Sequence, residues 1–109
     1  MRDLKPVLKQ IEGNERFQRL LAGAPFTAGI KSGAVILAPG ESVGEHKTES
    51  REEAIVILEG RADVHIQGKS AFTAEAQSLV YIPPETNHDI KNNGDKKLRY
   101  VYVVVPVLP

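Results

Sequence analysis

Two of the three histidines of the chain stand in polar segments beside apolar runs. Glu53 follows His46 by seven residues and directly precedes the apolar run 54–58. His88 stands in a second polar segment, shortly after Pro83. Two imidazoles and one carboxylate form a ligand set that suits iron(II) and also manganese, nickel or zinc. If the fold brings their side chains together, His46, Glu53 and His88 predict a site for one divalent metal ion.

The same residues have simpler interpretations. His46 and His88 could be hydrogen-bonded interior histidines of a metal-free protein, and Glu53 could be an ordinary residue at the start of a strand. Glu52 is the competing carboxylate, one residue out of register with Glu53. His65 shares the polar face of an alternating segment, so we expect it on the surface in solvent.

Short apolar runs separated by turn residues follow one another along most of the chain. They are rich in β-branched residues and cover 34–37, 54–58, 62–66, 78–82 and 98–105. Such runs, with turns between them, are typical of a β-sandwich or barrel. Asn93-Gly94 could supply the positive φ angles of a tight hairpin before the last run. The sequence therefore predicts one all-β domain.

The last apolar run is apolar on both faces. Tyr100 and Tyr102 share one face, and we expect them either to line a cavity or to belong to the plain core, while valines occupy most of the other face. A strand in a barrel wall has one wet face unless something covers it. The cover is either an N-terminal arm of residues 1–30, extended or with a short helix, or a second copy of the chain. We expect a homodimer, with residues 31–109 forming the barrel.

Composition narrows the possible partners. Lys plus Arg and Asp plus Glu both number 14 in a chain of 109 residues, which argues against nucleic acid or an anionic membrane as partner. Cysteine is absent, so disulfides and thiolate sites are excluded. No apolar run approaches the roughly 20 residues of a membrane-spanning helix. These observations predict a soluble, cytoplasmic protein.

The first polar segment resembles the first motif of the cupin superfamily. In that motif a glycine is followed by His-x-His, then glutamate, then a second glycine, and Gly40, His46, Glu53 and Gly60 fall on that spacing. Thr48 stands where the family has its second histidine. On an extended strand, Thr48 and His46 point the same way, so we expect Thr48 to line the cavity. A hydroxyl is a poor metal ligand, which leaves room there for water or substrate.

The second segment resembles the second cupin motif. Pro83, His88 and Asn92 fit its pattern, whereas Gln77 and Glu85 replace two of its glycines. Glycine often supplies a positive φ that glutamate resists. We therefore expect the turn near Glu85 to change type, with Asn87 best able to adopt the left-handed conformation.

The resemblance implies a single cupin-type double-stranded β-helix barrel, a jelly-roll, in which the two motifs meet at the mouth. It implies that His46, Glu53 and His88 hold the metal ion. The function that follows is metal-dependent binding or transformation of a small molecule. A metal-free barrel that only binds a small molecule is the alternative, and an assembly module built on the last strand is a third. Fold does not decide among them, because one barrel hosts many activities.

Overall fold

The computed structural model describes residues 3–108, which form nine β-strands. Within that range no helix is long and apolar enough to cross a membrane. The strands are β1 (Phe17–Ala22), β2 (Lys31–Leu37), β3 (His46–Lys47), β4 (Arg51–Glu59), β5 (Arg61–Ile66), β6 (Lys69–Glu75), β7 (Leu79–Ile82), β8 (Asn87–Lys91) and β9 (Leu98–Pro106).

The strands form two antiparallel sheets that enclose one apolar core. The five-stranded sheet has the order β1-β2-β9-β4-β7, and the four-stranded sheet has the order β3-β8-β5-β6. Alternation decides which side chains enter the core: Ile55 and Ile57 of β4 are buried, whereas Val56 between them is exposed. Leu37, Leu98 and Val64 complete the centre from both sheets. The predicted all-β jelly-roll is confirmed.

The N-terminal segment divides at Phe17. Residues 3–16 contain no strand or helix, and the described part of this arm is exposed. It is tied to the sheet by hydrogen bonds from Arg99 to the Gly13 carbonyl (2.6 Å) and from Gln18 to the Gln10 carbonyl (2.8 Å). From Phe17 onward the chain pairs with β2 as an edge strand. Of the two forms expected for the arm of residues 1–30, extended or with a short helix, this part takes the extended one.

The expectation for the turns at Gln77 and Glu85 was wrong. Both residues adopt the left-handed conformation themselves, with φ of 71° and 55°, and Asn87 is the first residue of β8. Each turn is held by a backbone hydrogen bond, from Gln77 N–H to the Ile57 carbonyl and from Glu85 N–H to the Glu49 carbonyl. A left-handed non-glycine residue costs about 1–2 kcal/mol, and these long-range bonds offset that cost.

The expectation of a hairpin at Asn93-Gly94 was also wrong. β8 and β9 belong to different sheets, so the segment between them is a crossover, and neither residue has a positive φ. The crossover is organised by the fully buried Asn92. Its amide donates to the carbonyls of Leu37 (2.9 Å) and Lys96 (2.9 Å), and its side-chain oxygen accepts from Gly94 N–H.

We predict that Asn92→Ala lowers the free energy of unfolding by about 2–4 kcal/mol, because it removes three hydrogen bonds and leaves buried backbone groups without partners. Equilibrium urea unfolding measures this. Asn14→Ala, at an exposed position of the arm, is the matched control and should change stability little. Equal stability of the two variants would contradict the role assigned to Asn92.

Candidate metal centre

His46 and His88 meet because their strands pair. β3 is short and lies antiparallel beside β8, and in that register His46 and His88 are direct partners. Their ring centroids are 4.1 Å apart, with the ring planes inclined by 57°. His88 is almost completely buried, whereas His46 is exposed at the mouth of the barrel. The register of one strand pair therefore brings together two imidazoles that are far apart in sequence.

Backbone carbonyls fix the tautomer of both rings. His46 Nδ1 lies 3.0 Å from the carbonyl oxygen of Gly44, and His88 Nδ1 lies 3.2 Å from that of Thr86. A carbonyl can only accept a hydrogen bond, so Nδ1 must carry the proton in each ring. In the neutral imidazoles the lone pair then resides on Nε2. This is the arrangement in which histidines bind metals, with the other ring nitrogen held by a second group.

Glu53 supplies the carboxylate. It lies on the inner face of β4, where its side chain is buried, and its Oε1 atom is 2.9 Å from His88 Nε2. The competing Glu52 points outward and accepts a hydrogen bond of 2.7 Å from the Tyr81 hydroxyl. The alternation of β4 therefore selects Glu53, in agreement with the spacing of the motif.

The contact between Glu53 and His88 lacks hydrogen-bond geometry. Despite the short distance, His88 Nε2 has no hydrogen-bond partner among residues 3–108. A ring nitrogen lone pair and a carboxylate oxygen repel at this distance unless a cation lies between or beside them. Burial alone lowers the pKa of His88, but the Glu53 carboxylate, the Thr86 carbonyl and Asp89 outweigh it, so that the pKa is raised. A proton or a metal ion bound at these two atoms would remove the repulsion between them.

The structure brings all three predicted ligands together. One ligand atom each from His46, Glu53 and His88 lies within 4.8 Å of the other two. Two ring nitrogens and a carboxylate oxygen at such spacing can converge on one ion after small side-chain rotations, so the donor set fits a divalent metal. The set borders the cavity, and no fourth histidine or carboxylate from residues 3–108 joins it.

His65 lies away from this group. It shares the outer face of β5 with Asp63, as the alternation predicted, but it is only partly exposed rather than fully solvated. Its Nε2 atom is 2.9 Å from the Asp63 carboxylate, which also accepts hydrogen bonds from Ser70 and Asn93. The Ser70 hydroxyl is the largest influence on the Asp63 carboxyl, and together these groups lower its pKa. This cluster joins β5 to β6 and to the crossover.

Thr48 has a structural role that the sequence did not reveal. Its hydroxyl donates to the Pro83 carbonyl (2.7 Å) and accepts from Thr86 N–H (3.0 Å). The side chain is buried at the cavity wall, and both hydrogen-bonding roles of the hydroxyl are occupied. Thr48 therefore fastens the end of β3 to the turn before β8, which holds the two histidine-bearing strands together. The partners lie about 35 residues away, so sequence spacing gave no signal of this.

A cavity of about 360 Å³ opens beside the three ligands, a size within the usual range of small-molecule sites. The predicted lining residues Tyr100 and Tyr102 lie along it. Burial raises the pKa of both hydroxyls above the ordinary value, so neither is a ready acid or base near neutral pH. The wall also contains Phe17, Lys31 and Arg51, which the sequence analysis did not single out.

Comparison with known proteins places the chain in a family. A profile described as the cupin domain matches residues 33–105. The chain therefore belongs to the cupin family, and the resemblance seen in the two motifs is confirmed. The solved structure of a Cupin 2 conserved barrel domain protein from Salinispora arenicola has a TM-score of 0.71 and 26% identity, covering 96% of this chain and 89% of that one.

Two curated relatives are similar in sequence to most of this chain. The chain is 33% identical to the "Polyketide synthase CurC" of Streptomyces cyaneus, covering 94% of this chain and 69% of the relative. It is 30% identical to the "Tetracenomycin polyketide synthase protein TcmJ" of Streptomyces glaucescens, covering 78% of this chain and 58% of the relative. The chain thus spans between half and three quarters of the length of these two proteins.

We predict that Thr48→Val lowers the free energy of unfolding by about 1–3 kcal/mol, because Thr86 N–H and the Pro83 carbonyl lose their partner in a buried place. Thr48→Ser, which retains the hydroxyl, should recover much of the loss. Thr73→Val on the exposed face of β6 is the matched control. Urea unfolding of chelator-treated protein is the measurement, and a Thr48→Val protein as stable as the control would refute the structural role.

Proposed function

We propose that this protein binds one divalent transition metal ion through His46, Glu53 and His88 and uses it to bind and transform an organic small molecule. The observation that carries the proposal is the contact between Glu53 Oε1 and His88 Nε2, 2.9 Å apart without hydrogen-bond geometry. Such a pair of acceptors requires a cation. Iron, manganese, nickel and zinc all suit two imidazoles and one carboxylate.

The metal ion, when bound, supplies Lewis acidity or, if it is redox-active, a centre for oxygen activation. The residues of the chain do the rest. The Gly44 and Thr86 carbonyls orient the two imidazoles, and the Glu53 carboxylate offsets part of the positive charge in a buried place. The largely apolar wall limits water around the site, while three protein ligands leave positions open for a substrate. The relatives named after polyketide synthases favour an organic substrate.

The competing function is metal-free binding of a small molecule in the same cavity. The raised pKa of His88 favours it, because a proton on Nε2 would supply the cation that Glu53 requires. The two functions differ in one measurable property, which is the affinity of the three side chains for metal.

We expect the protein, after loading and dialysis, to hold about one metal ion per chain by plasma mass spectrometry. His46→Ala and Glu53→Gln should each weaken binding at least about 10–100-fold in a chelator competition, since even indirect changes around a metal have effects of this size. His65→Ala removes a histidine outside the cavity and is the matched control. If the wild type held no more metal than His46→Ala, the metal-free function would replace the proposed one.

We further propose that the protein is a homodimer formed through the outer face of the five-stranded sheet. Val56, Leu79 and Tyr81 are exposed there, at 37%, 70% and 57%, around the half-buried valines of β9. The N-terminal arm carries further exposed apolar side chains, namely Leu4, Val7, Leu8 and Ile11. Exposed apolar side chains on one face mark interfaces, and a twofold arrangement through this face would cover them.

Light scattering coupled to size exclusion should report twice the mass of the chain. Val103→Asp, in the middle of the outer face, should shift the protein toward monomer or aggregate, because dimerisation would bury an unpaired charge. Ala71→Asp on β6 introduces the same charge elsewhere and should leave the mass unchanged. A wild-type mass of one chain at micromolar concentration would exclude the dimer.

A further inference from the structure

Two basic side chains line the cavity on the side of Glu53. Lys31 is the first residue of β2 and Arg51 is the first residue of β4, and both contribute to the cavity wall. The register explains their position. Val104 of β9 is the partner of Lys31 on one side and of Glu53 on the other, and Arg51 lies two residues before Glu53 on the same face. Both cations therefore line the same cavity as the candidate metal centre.

Neither cation, Lys31 or Arg51, has a carboxylate partner within ion-pair distance in the part of the chain that the structure describes. The third basic residue of the wall, Lys47, pairs with Glu85 at 3.3 Å. Glu53 is the acidic residue of the wall, and it faces His88. A cleft with apolar walls and unpaired positive charge concentrates anions.

An aromatic wall stands next to these charges. The rings of Phe17 and Tyr102 are 6.4 Å apart and within 19° of parallel, and both line the cavity. Gly33 of β2 makes room for them, because a Cβ atom there would lie 2.7 Å from the Phe17 ring and 2.8 Å from the Tyr102 hydroxyl oxygen. The two rings thus pack over bare backbone and give the cavity wall an aromatic surface, against which another ring system can pack.

We infer that the cavity takes an aromatic carboxylate, with its ring against Phe17 and Tyr102 and its acidic group held by Lys31 and Arg51. The inference rests on the proposed function, since this ligand would share the cavity with the metal ion, and it adds the chemical class of the ligand. In this arrangement the aromatic wall binds the ring of the ligand, and the two cations bind its negatively charged group.

The experiment compares two probes of similar size, naphthoate and the neutral naphthalenemethanol, by calorimetric titration of zinc-loaded protein. Naphthoate should bind at least about tenfold more tightly, because a hydrogen-bonded charge adds roughly that factor. The double variant Lys31→Gln, Arg51→Gln should lose this preference while binding the neutral probe as before. The matched control Lys9→Gln, Lys69→Gln removes two exposed charges outside the cavity and should retain the preference.

Metal content, measured on every sample, separates the two proposals. A preference that survives in the double variant but disappears on removal of zinc would assign anion binding to the metal and overturn the role of Lys31 and Arg51, with the proposed function intact. If the wild type holds no zinc, the proposed function fails, and the same two probes still test the basic pair in metal-free protein. Equal binding of both probes by the wild type, or binding of neither at millimolar concentration, would overturn the inference.

Discussion

The architecture of the site depends on a buried carboxylate. Glu53 lies inside an all-β barrel, where an uncompensated charge is costly, and its neighbour His88 is also buried. A slip of β4 by one residue would place Glu52 inside and Glu53 outside. The pairing of β4 with both β7 and β9 prevents such a slip, because Glu53 has a fixed partner on each side. The register of the sheet therefore determines that the Glu53 carboxylate lies inside the cavity.

The sequence indicated which three side chains lie together, because the information for this is local. The spacing of Gly40, His46, Glu53 and Gly60 lies within one stretch of chain, and period-two alternation distinguishes Glu53 from Glu52. The all-β fold followed from short apolar runs for the same reason. Gln77 and Glu85 adopt positive φ against their intrinsic preference, which is why the expected turn was wrong. In the folded protein, backbone hydrogen bonds from distant carbonyls hold both residues at positive φ.

What the sequence could not give is the register between strands far apart in the chain. Lys31 and Arg51 look like ordinary charged residues at strand starts, and only their common relation to β9 places them on one wall. Thr48 was recognised as a departure from the family pattern, but its partners come from the turn before β8. The one available signal was the alternation of side chains along each strand. Lys31 shares a face with Gly33 and Val35, and Arg51 shares a face with Glu53 and Ile55. Both cations therefore lie on inward faces.

The two faces of the five-stranded sheet differ in the kinds of side chain that they carry. Its inner face carries the cations, the aromatic wall and the carboxylate, whereas its outer face exposes the apolar side chains of Val56, Leu79 and Tyr81. β9 belongs to both, since Tyr102 faces the cavity and Val103 faces outward. Any shift of β9 caused by association at the outer face would be transmitted to the cavity wall, because a strand moves as one body within its ladder.

Both imidazoles are anchored by main-chain carbonyls of their own segments, Gly44 and Thr86, rather than by side chains. Main-chain groups remain when neighbouring residues mutate. The orientation of the two rings therefore does not depend on the side chains of the cavity wall, apart from Thr48, which fastens the two histidine-bearing strands together. Substitutions of the other wall residues can therefore change the shape and charge of the cavity while both imidazoles keep their orientation.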